Sequence, residues 1–419
     1  MMISKDSILK QKGFLALWVG QTVSAVGSQI SGLALPVIAV TFLSASELEM
    51  GFLNAAGTSA FLVVGLLAGA WVDRWIKRRV MLIADLVRML AVATIPLLWL
   101  QDSLTIYHLI LVASVMSVAS VFFDVAYQSY IPILLPKEYI GVANSRLETT
   151  GQISGISGPS IVGWLLTILK APLILIVDAF SFLISAIALF LIKDKEVPRP
   201  KADRRPLRKE IAEGLSFVWN QKLIRAISFT TSTSNLFSTI VGTMFALYFF
   251  REENLGFSTA SFGLLASIGS IGGLLGATVT PKLIKRFGEG RLVVLSAIFL
   301  GSIQILIPLS WYVPREIALF VLGAQFFLTS FFILTYNITQ VTARQRICPE
   351  HLLGRMNASI RFMVWGSMPI GALISGLLGT AIGVLPTMWV GAVLAVFSAS
   401  FVFFSPLRTM RDMPQRADA

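Results

Sequence analysis

The sequence predicts an all-α integral membrane protein with twelve transmembrane helices, built as two six-helix pseudo-repeats. Three observations predict it: a composition too apolar for a soluble particle, a series of apolar runs each long enough to cross a bilayer, and a one-sided placement of Lys and Arg between those runs. Of 419 residues, 55% are hydrophobic and 13% charged. A soluble globular chain carries about 25% charged residues and about 45–50% apolar ones. The mean hydropathy of +0.78 agrees. With so little polar sequence, lipid has to be the solvent for most of the surface.

A helix crossing about 30 Å of hydrocarbon needs about 20 apolar residues. Twelve segments qualify, at residues 14–43, 50–72, 80–100, 105–127, 146–169, 172–192, 223–250, 259–281, 291–311, 315–340, 356–382 and 384–405. Their apolar runs are continuous, whereas a β-barrel needs alternating segments of about ten residues. Gly and Pro inside them are compatible with membrane helices. The first run is longer than a signal-peptide core of roughly 7–15 residues, so it is read as span 1.

Charge placement sets the orientation. Thirty of the 34 Lys and Arg fall on the side that holds the N-terminus. Only Lys170, Arg251 and Arg315 fall opposite, and Arg88 lies within a span. Basic loops stay cytoplasmic, so both termini are expected inside, in the plasma (inner) membrane of a bacterium. The net charge of +12 resides in these loops, so nucleic acid is not an expected partner. The expected partners are the lipid bilayer and a small-molecule substrate, with the chain acting as a monomer. One cysteine, Cys348, permits no internal disulfide. His108 and His351 lie far apart near span ends, so no metal site is expected.

The chain divides as 1–192, a first six-helix bundle; 193–222, a cytoplasmic linker; 223–405, a second bundle; and 406–419, a cytoplasmic tail. The linker opens as a charged, Pro-containing stretch. It continues as an amphipathic helix with Leu207, Ile211, Leu215 and Val218 or Trp219 at helical spacing, expected to lie on the membrane surface. A repeat relates the halves: Pro136, Gly141 and Asn144 reappear as Pro349, Gly354 and Asn357 at one constant offset. Paired bundles of this kind are a transporter architecture, in which two similar units rock about a central site.

The stretch from Gly65 to Arg79 carries the most specific chemistry. Gly65 and Gly69 form a GxxxG step that lets a neighbouring helix approach closely. The short loop after it sets one acid, Asp73, among Arg74, Lys77, Arg78 and Arg79. An acid here can accept backbone N–H bonds at a helix start, where the dipole favours negative charge. The stretch resembles the loop 2–3 signature of the major facilitator superfamily, through Gly69, Asp73, Arg74, Arg78 and Arg79. Ile76 departs from the glycine usual in that family, and Pro281 stands at the place of Asp73 in the second half. The resemblance implies the major facilitator fold, with Asp73 and its basic neighbours as a cytoplasmic latch and Asp124 pairing with the basic loop.

In span 5, Ser154-Gly155-Ile156-Ser157-Gly158-Pro159 leads to Gly163. It resembles the family's antiporter signature through Gly158, Pro159 and Gly163, with Ser154 and Val162 in place of glycines. Proline bends a span and small residues permit tight packing, so a packing kink is the plainer reading of Gly155, Gly158, Pro159 and Gly163. The phrases around Asp85–Arg88, Val177–Phe182 and Glu213–Val218 resemble the branch that holds macrolide-efflux and siderophore-export proteins.

Ionisable residues inside spans are functional candidates by default. Here they are Asp85, Arg88, Glu148, Asp178 and Arg361. Asp85 and Arg88 are one turn apart and can pair on one face. Glu148 and Arg361 occupy corresponding repeat positions and are candidates for a gate between the halves. Similarity to the fold implies a cavity lined by spans 1, 4, 7 and 10, for which Gln21, Gln29, Asn235, Gln325, Tyr336 and Asn337 are candidates. Such polar residues can equally bridge helices.

The function expected is secondary active export of a small amphipathic or lipophilic compound, drug- or macrolide-like, by alternating access and proton antiport. No cofactor is expected, the proton gradient being the driving force, and no phosphate-binding G-x-x-x-x-G-K-[ST] loop is present. A siderophore, lipid or nutrient transporter of the same fold is the nearest alternative, and a membrane sensor or assembly protein a further one. A membrane enzyme is disfavoured, since neither H-E-x-x-H nor G-x-S-x-G occurs. The proton carrier stays open among Asp124, Glu148 and Asp178.

Overall fold

A computed structural model describes residues 8–72, 74–193, 196, 207–349 and 352–414. Among the described residues the chain is helical throughout, with no strand. Ten helical stretches among the described residues are long and apolar enough to cross a membrane. They are α1 (Lys12–Thr41), α4 (Lys77–Leu100), α5 (Ile106–Leu134), α7 (Ala171–Leu191), α9 (Lys222–Phe250), α10 (Thr259–Phe287), Glu289–Tyr312, α13 (Arg315–Ile347), α14 (Leu353–Ile382) and Val384–Phe403. Glu289–Tyr312 comprises α11 (Glu289–Ile303), α12 (Leu306–Leu309) and a 3-10 turn; Val384–Phe403 comprises α15 (Val384–Ser398) and α16 (Ser400–Phe403).

The two remaining expected spans are helical too. The second is divided at Val64 into α2 (Glu47–Val63) and α3 (Gly65–Val72). The fifth is α6 (Lys137–Ile168), whose first turns carry Lys137, Glu138, Arg146 and Glu148. Hydropathy places its start at residue 146, but the helix begins nine residues earlier. Hydropathy registers the part of a helix that suits hydrocarbon, and the charged turns simply continue the same hydrogen-bond ladder.

Local chemistry explains several helix ends. Ser46 and Glu49 form a reciprocal capping box at α2, the Ser46 amide donating to Glu49 at 2.8 Å and the Glu49 amide to Ser46 at 3.4 Å. Ser258 caps α10 by accepting from the Ser261 amide. Gly288 and Gly383, with φ of 85° and 86°, make the sharp turns into α11 and α15 that an L side chain resists.

Packing divides the chain into two compact units. The first comprises residues 1–44 and 63–204, the second 45–62 and 205–419. Within the first unit, α1 packs on α7 and α6, α4 on α7 and α5, and α3 on α5. Within the second, α9 packs on α15 and α14, α11 on α15 and α13, and α10 on α13. These are the same five pairings, helix for helix, although residues 45–62, which the sequence assigns to the first bundle, group with the second unit.

Close helix contacts are made by small residues, as expected where lipid tails compete with apolar side chains. A Cβ at Gly272 of α10 would lie 2.8 Å from the Phe327 carbonyl carbon of α13. Within the second unit, Gly51 of α2 meets Gly376 of α14, where a Cβ would lie 2.8 Å from the opposing Cα. Phe190, Phe320 and Phe404 are exposed, as apolar side chains are where lipid is the solvent.

The linker contains α8 (Leu207–Asn220), where the amphipathic spacing predicts a helix. It is more than a surface helix: α8 packs along α14, Val218 is buried, and Glu213 pairs with Arg355. Gly214 permits the contact, because a Cβ there would lie 2.6 Å from the Arg355 carbonyl oxygen.

Replacing Gly272 with valine overpacks the α10–α13 contact, which costs roughly 1–3 kcal/mol. The melting temperature of the purified protein in detergent is expected to fall by several degrees; an unchanged value would contradict this packing.

Candidate functional site

A buried polar cluster lies in the first unit, among α1, α4, α5 and α7. Asp85 and Asp178 have no exposed surface, and Arg88 is 5% exposed. Sequence spacing puts Asp85 and Arg88 one turn apart on α4, and the structure pairs them through Arg88 Nη2 and Asp85 Oδ1. The guanidinium also sits between two aromatic faces, 4.3 Å from the Phe123 ring centroid and 4.5 Å from that of Phe182. Cation–π contacts replace part of the hydration that such a buried cation loses.

Asp178 of α7 completes the cluster. Its Oδ2 accepts from Ser31 of α1 and its Oδ1 from Ser181 at 3.0 Å. Gly27 makes room for this approach of α1: a Cβ there would collide with Ser181 and lie 2.6 Å from Asp178 Oδ1. Not every polar atom is used. Asp85 Oδ2 and Arg88 Nε are buried with no hydrogen-bond partner, although the Ser185 hydroxyl lies close to Asp85. Ser185 itself accepts from Gln21 at 3.3 Å.

The loop 2–3 basic residues are organised by a carboxylate that the sequence pattern does not single out. Glu196 accepts from the backbone amides of Lys77 at 2.8 Å and Arg78 at 3.3 Å. It thereby satisfies two orphan donors at the positive end of the α4 dipole. It also pairs with Lys77 Nζ at 3.6 Å, in a site where both side chains are buried. Arg78 donates to the Ile192 carbonyl, fastening the end of α7 to the start of α4. Arg74 and Arg79 are exposed. Asp73 lies outside the described residues, as does the surrounding of Gly69. Asp124, on α5, is half-buried.

In α6, Pro159 stands inside the helix and Gly158 is a contact point: a Cβ there would lie 2.7 Å from Gln29 Cβ. Gln29 thus packs against the Gly-Pro step within the first unit. Gly155 faces open space, and Gly163 is buried. The Glu148 side chain lies outside the described residues, as does His351.

In the second unit, Tyr336 of α13 shares a hydrogen bond of 2.8 Å with Thr231 of α9. Asn235 donates to the Val364 carbonyl at 3.1 Å, and Gln325 to Thr329 at 2.9 Å. Asn337 is exposed. Arg361 is also exposed, with its guanidinium 5.8 Å from the Trp365 ring centroid. Among the described residues, no group of three or more His, Cys, Asp or Glu is placed to hold a metal.

The family model for the Major Facilitator Superfamily matches residues 17–368. The chain is 28% identical to the multidrug efflux pump Tap of Mycolicibacterium fortuitum, over 91% of this chain and 94% of that one. It is 22% identical to macrolide efflux protein A of Streptococcus pyogenes, over 88% and 90%. Its fold matches that of a solved mutant of the nucleoside transporter NupG with a TM-score of 0.70, at 14% identity, covering 94% of this chain and 99% of that one.

Replacing Glu196 with alanine removes the cap of α4, a loss of about 0.5–2 kcal/mol. Because each 1.4 kcal/mol is a factor of ten, amide hydrogen exchange at Lys77 and Arg78 is expected to speed up by roughly tenfold. Unaltered exchange in the peptide that contains them would contradict the capping role.

Proposed function

The chain belongs to the major facilitator superfamily and is a multi-pass membrane transporter rather than an enzyme, and we propose that it exports small amphipathic or lipophilic compounds, drug- or macrolide-like, in exchange for protons. The observation that carries this reading is near full-length similarity to two efflux proteins of different cargo names, Tap and macrolide efflux protein A. The similarity runs through both halves rather than one bundle alone.

Physical chemistry supports the same reading. A cargo drawn from the bilayer needs a site with much apolar and little charged surface. The α9 and α13 spans offer hydroxyl, amide and phenol groups among phenylalanines, and Phe245 of α9 stands 5.6 Å from Phe326 of α13 between ring centroids. Such surroundings suit shape and hydrophobicity better than one fixed hydrogen-bond pattern, and so suit a range of lipophilic compounds. The loop 2–3 latch built on Asp73 would hold the cytoplasmic side, and the Gly158–Pro159 step would supply a bend in α6. The protein would work as a monomer in a bacterial plasma membrane, with both termini cytoplasmic, since thirty of the 34 Lys and Arg flank the spans on that side. No cofactor takes part in this scheme.

Cells that express the protein are expected to accumulate several-fold less ethidium and radiolabelled erythromycin than control cells. A protonophore should abolish the difference, and Asp73→Asn should diminish it at equal expression. Equal accumulation in all cells would overturn drug export and bring siderophore, lipid or uptake roles forward.

A further inference from the structure

The two buried carboxyls of the first unit are served by one guanidinium. Asp85, Arg88 and Asp178 are each at least nine-tenths buried, close to the middle of helices that cross the membrane. If both acids were ionised, the cluster would carry a net charge of −1 in a site with almost no exposed surface. An uncompensated buried charge costs several kcal/mol, and a carboxyl in that position takes up a proton instead.

We propose that Asp85, Arg88 and Asp178 form a proton-binding site within the first bundle, in which two carboxyls share one cation and one proton, and that this proton is the one exchanged for cargo. The second clause rests on the antiport reading; the first does not.

Geometry says which acid holds the proton. Arg88 is committed to Asp85 through Nη2, whereas Asp178 has only hydroxyl partners, Ser31 and Ser181. Hydroxyls serve a carboxylate as donors and a carboxylic acid as acceptors. Asp178 can therefore gain or lose a proton with both serines still bonded, by rotation of their O–H bonds. Arg88 is held in place by Asp85, by Ser120 at 3.5 Å and by the two aromatic rings, and the hydrogen-bond capacity left over is at Asp85 Oδ2 and Arg88 Nε. Ser31 and the Gly27 gap lie on α1, so proton occupancy is coupled to the seating of α1 against α7.

The charged surroundings are sparse. The cluster's own helix α4 adds Lys77, Arg78 and Arg79 only in its first turn. Helix α1 carries no titratable group except Lys12 at its first residue. Helix α5 brings Asp124 beside Phe123, with Tyr127, Tyr130, His108 and Tyr107 further along. Helix α6 has its titratable groups, Lys137, Glu138, Tyr139, Arg146 and Glu148, confined to its first twelve residues. Helix α7 itself has no titratable group but Asp178. Arg88 is thus the one cation facing the acids near midspan among the described residues.

The test is infrared titration of the purified full-length protein in lipid, reading the C=O band of protonated carboxyl groups as pH is raised. Wild type should show a band that disappears with rising pH. Asp178→Asn should lack it, Asp178→Glu should restore it at a shifted position, and Asp85→Asn/Arg88→Gln should hold it to higher pH. Asp124→Asn should leave it in place. A band unaltered in Asp178→Asn overturns the site. In liposomes, ethidium accumulation by Asp178→Asn should lose its response to an imposed pH gradient; a retained response overturns the coupling role. If the band titrates as expected and wild type moves no ethidium at all, the proton site stands while drug export fails.

Discussion

Everything in this protein depends on one constraint: inside hydrocarbon, a polar group has no water to return to. The backbone meets the constraint by forming helices, so each crossing is a continuous ladder of internal hydrogen bonds. Side chains meet it by pairing. Thr, Ser and Asn hydroxyls and amides along α9, α13 and α14 bond to carbonyls of their own or a neighbouring helix. Where helices approach closely, glycine removes the side chain that would separate them, as at Gly27, Gly158 and Gly272. In the buried Asp85–Arg88–Asp178 cluster the constraint is met incompletely, with Asp85 Oδ2 and Arg88 Nε unpartnered and two acids facing one base, and that imbalance gives the cluster chemistry to offer.

Much of the architecture is legible in the sequence because the same constraint writes it there. Apolar runs mark the spans, Lys and Arg mark the loops, and the Pro136-Gly141-Asn144 repeat marks the duplication that the helix pairings of the two units reproduce. The Asp85–Arg88 pair is legible too, since i,i+3 spacing on a helix is a local property. Asp178 can be flagged as a buried charge, but its place beside that pair is set by how α7 packs on α1 and α4. No spacing within one helix encodes it. The serines that hold it are ordinary small residues in sequence, and only Gly27 and Ser31, four residues apart on one face, hint at a shared approach.

Other features escape sequence reasoning for a different reason. Glu196 sits in a charged linker where solvation is the natural expectation, yet it caps α4 because the chain leaving α7 passes the start of that helix. Helix α8 has an amphipathic pattern, and such a pattern fits a lipid surface and a protein groove equally well; Gly214 decides for α14 by allowing backbone contact. Helix α6 starts before its apolar run because charged turns extend a helix beyond the bilayer without any hydropathic signal. In each case the missing information is the identity of the neighbour.

Proton-coupled export is the central claim, and proteoliposomes that contain the purified protein and a trapped pH-sensitive dye test it most directly. Ethidium is added outside and internal pH is followed with the membrane potential clamped. Exchange predicts that protons leave as ethidium enters, so the lumen becomes alkaline in proportion to the dye taken up, and liposomes without protein stay unchanged. Ethidium entry with no change in internal pH, or with acidification, would contradict the account.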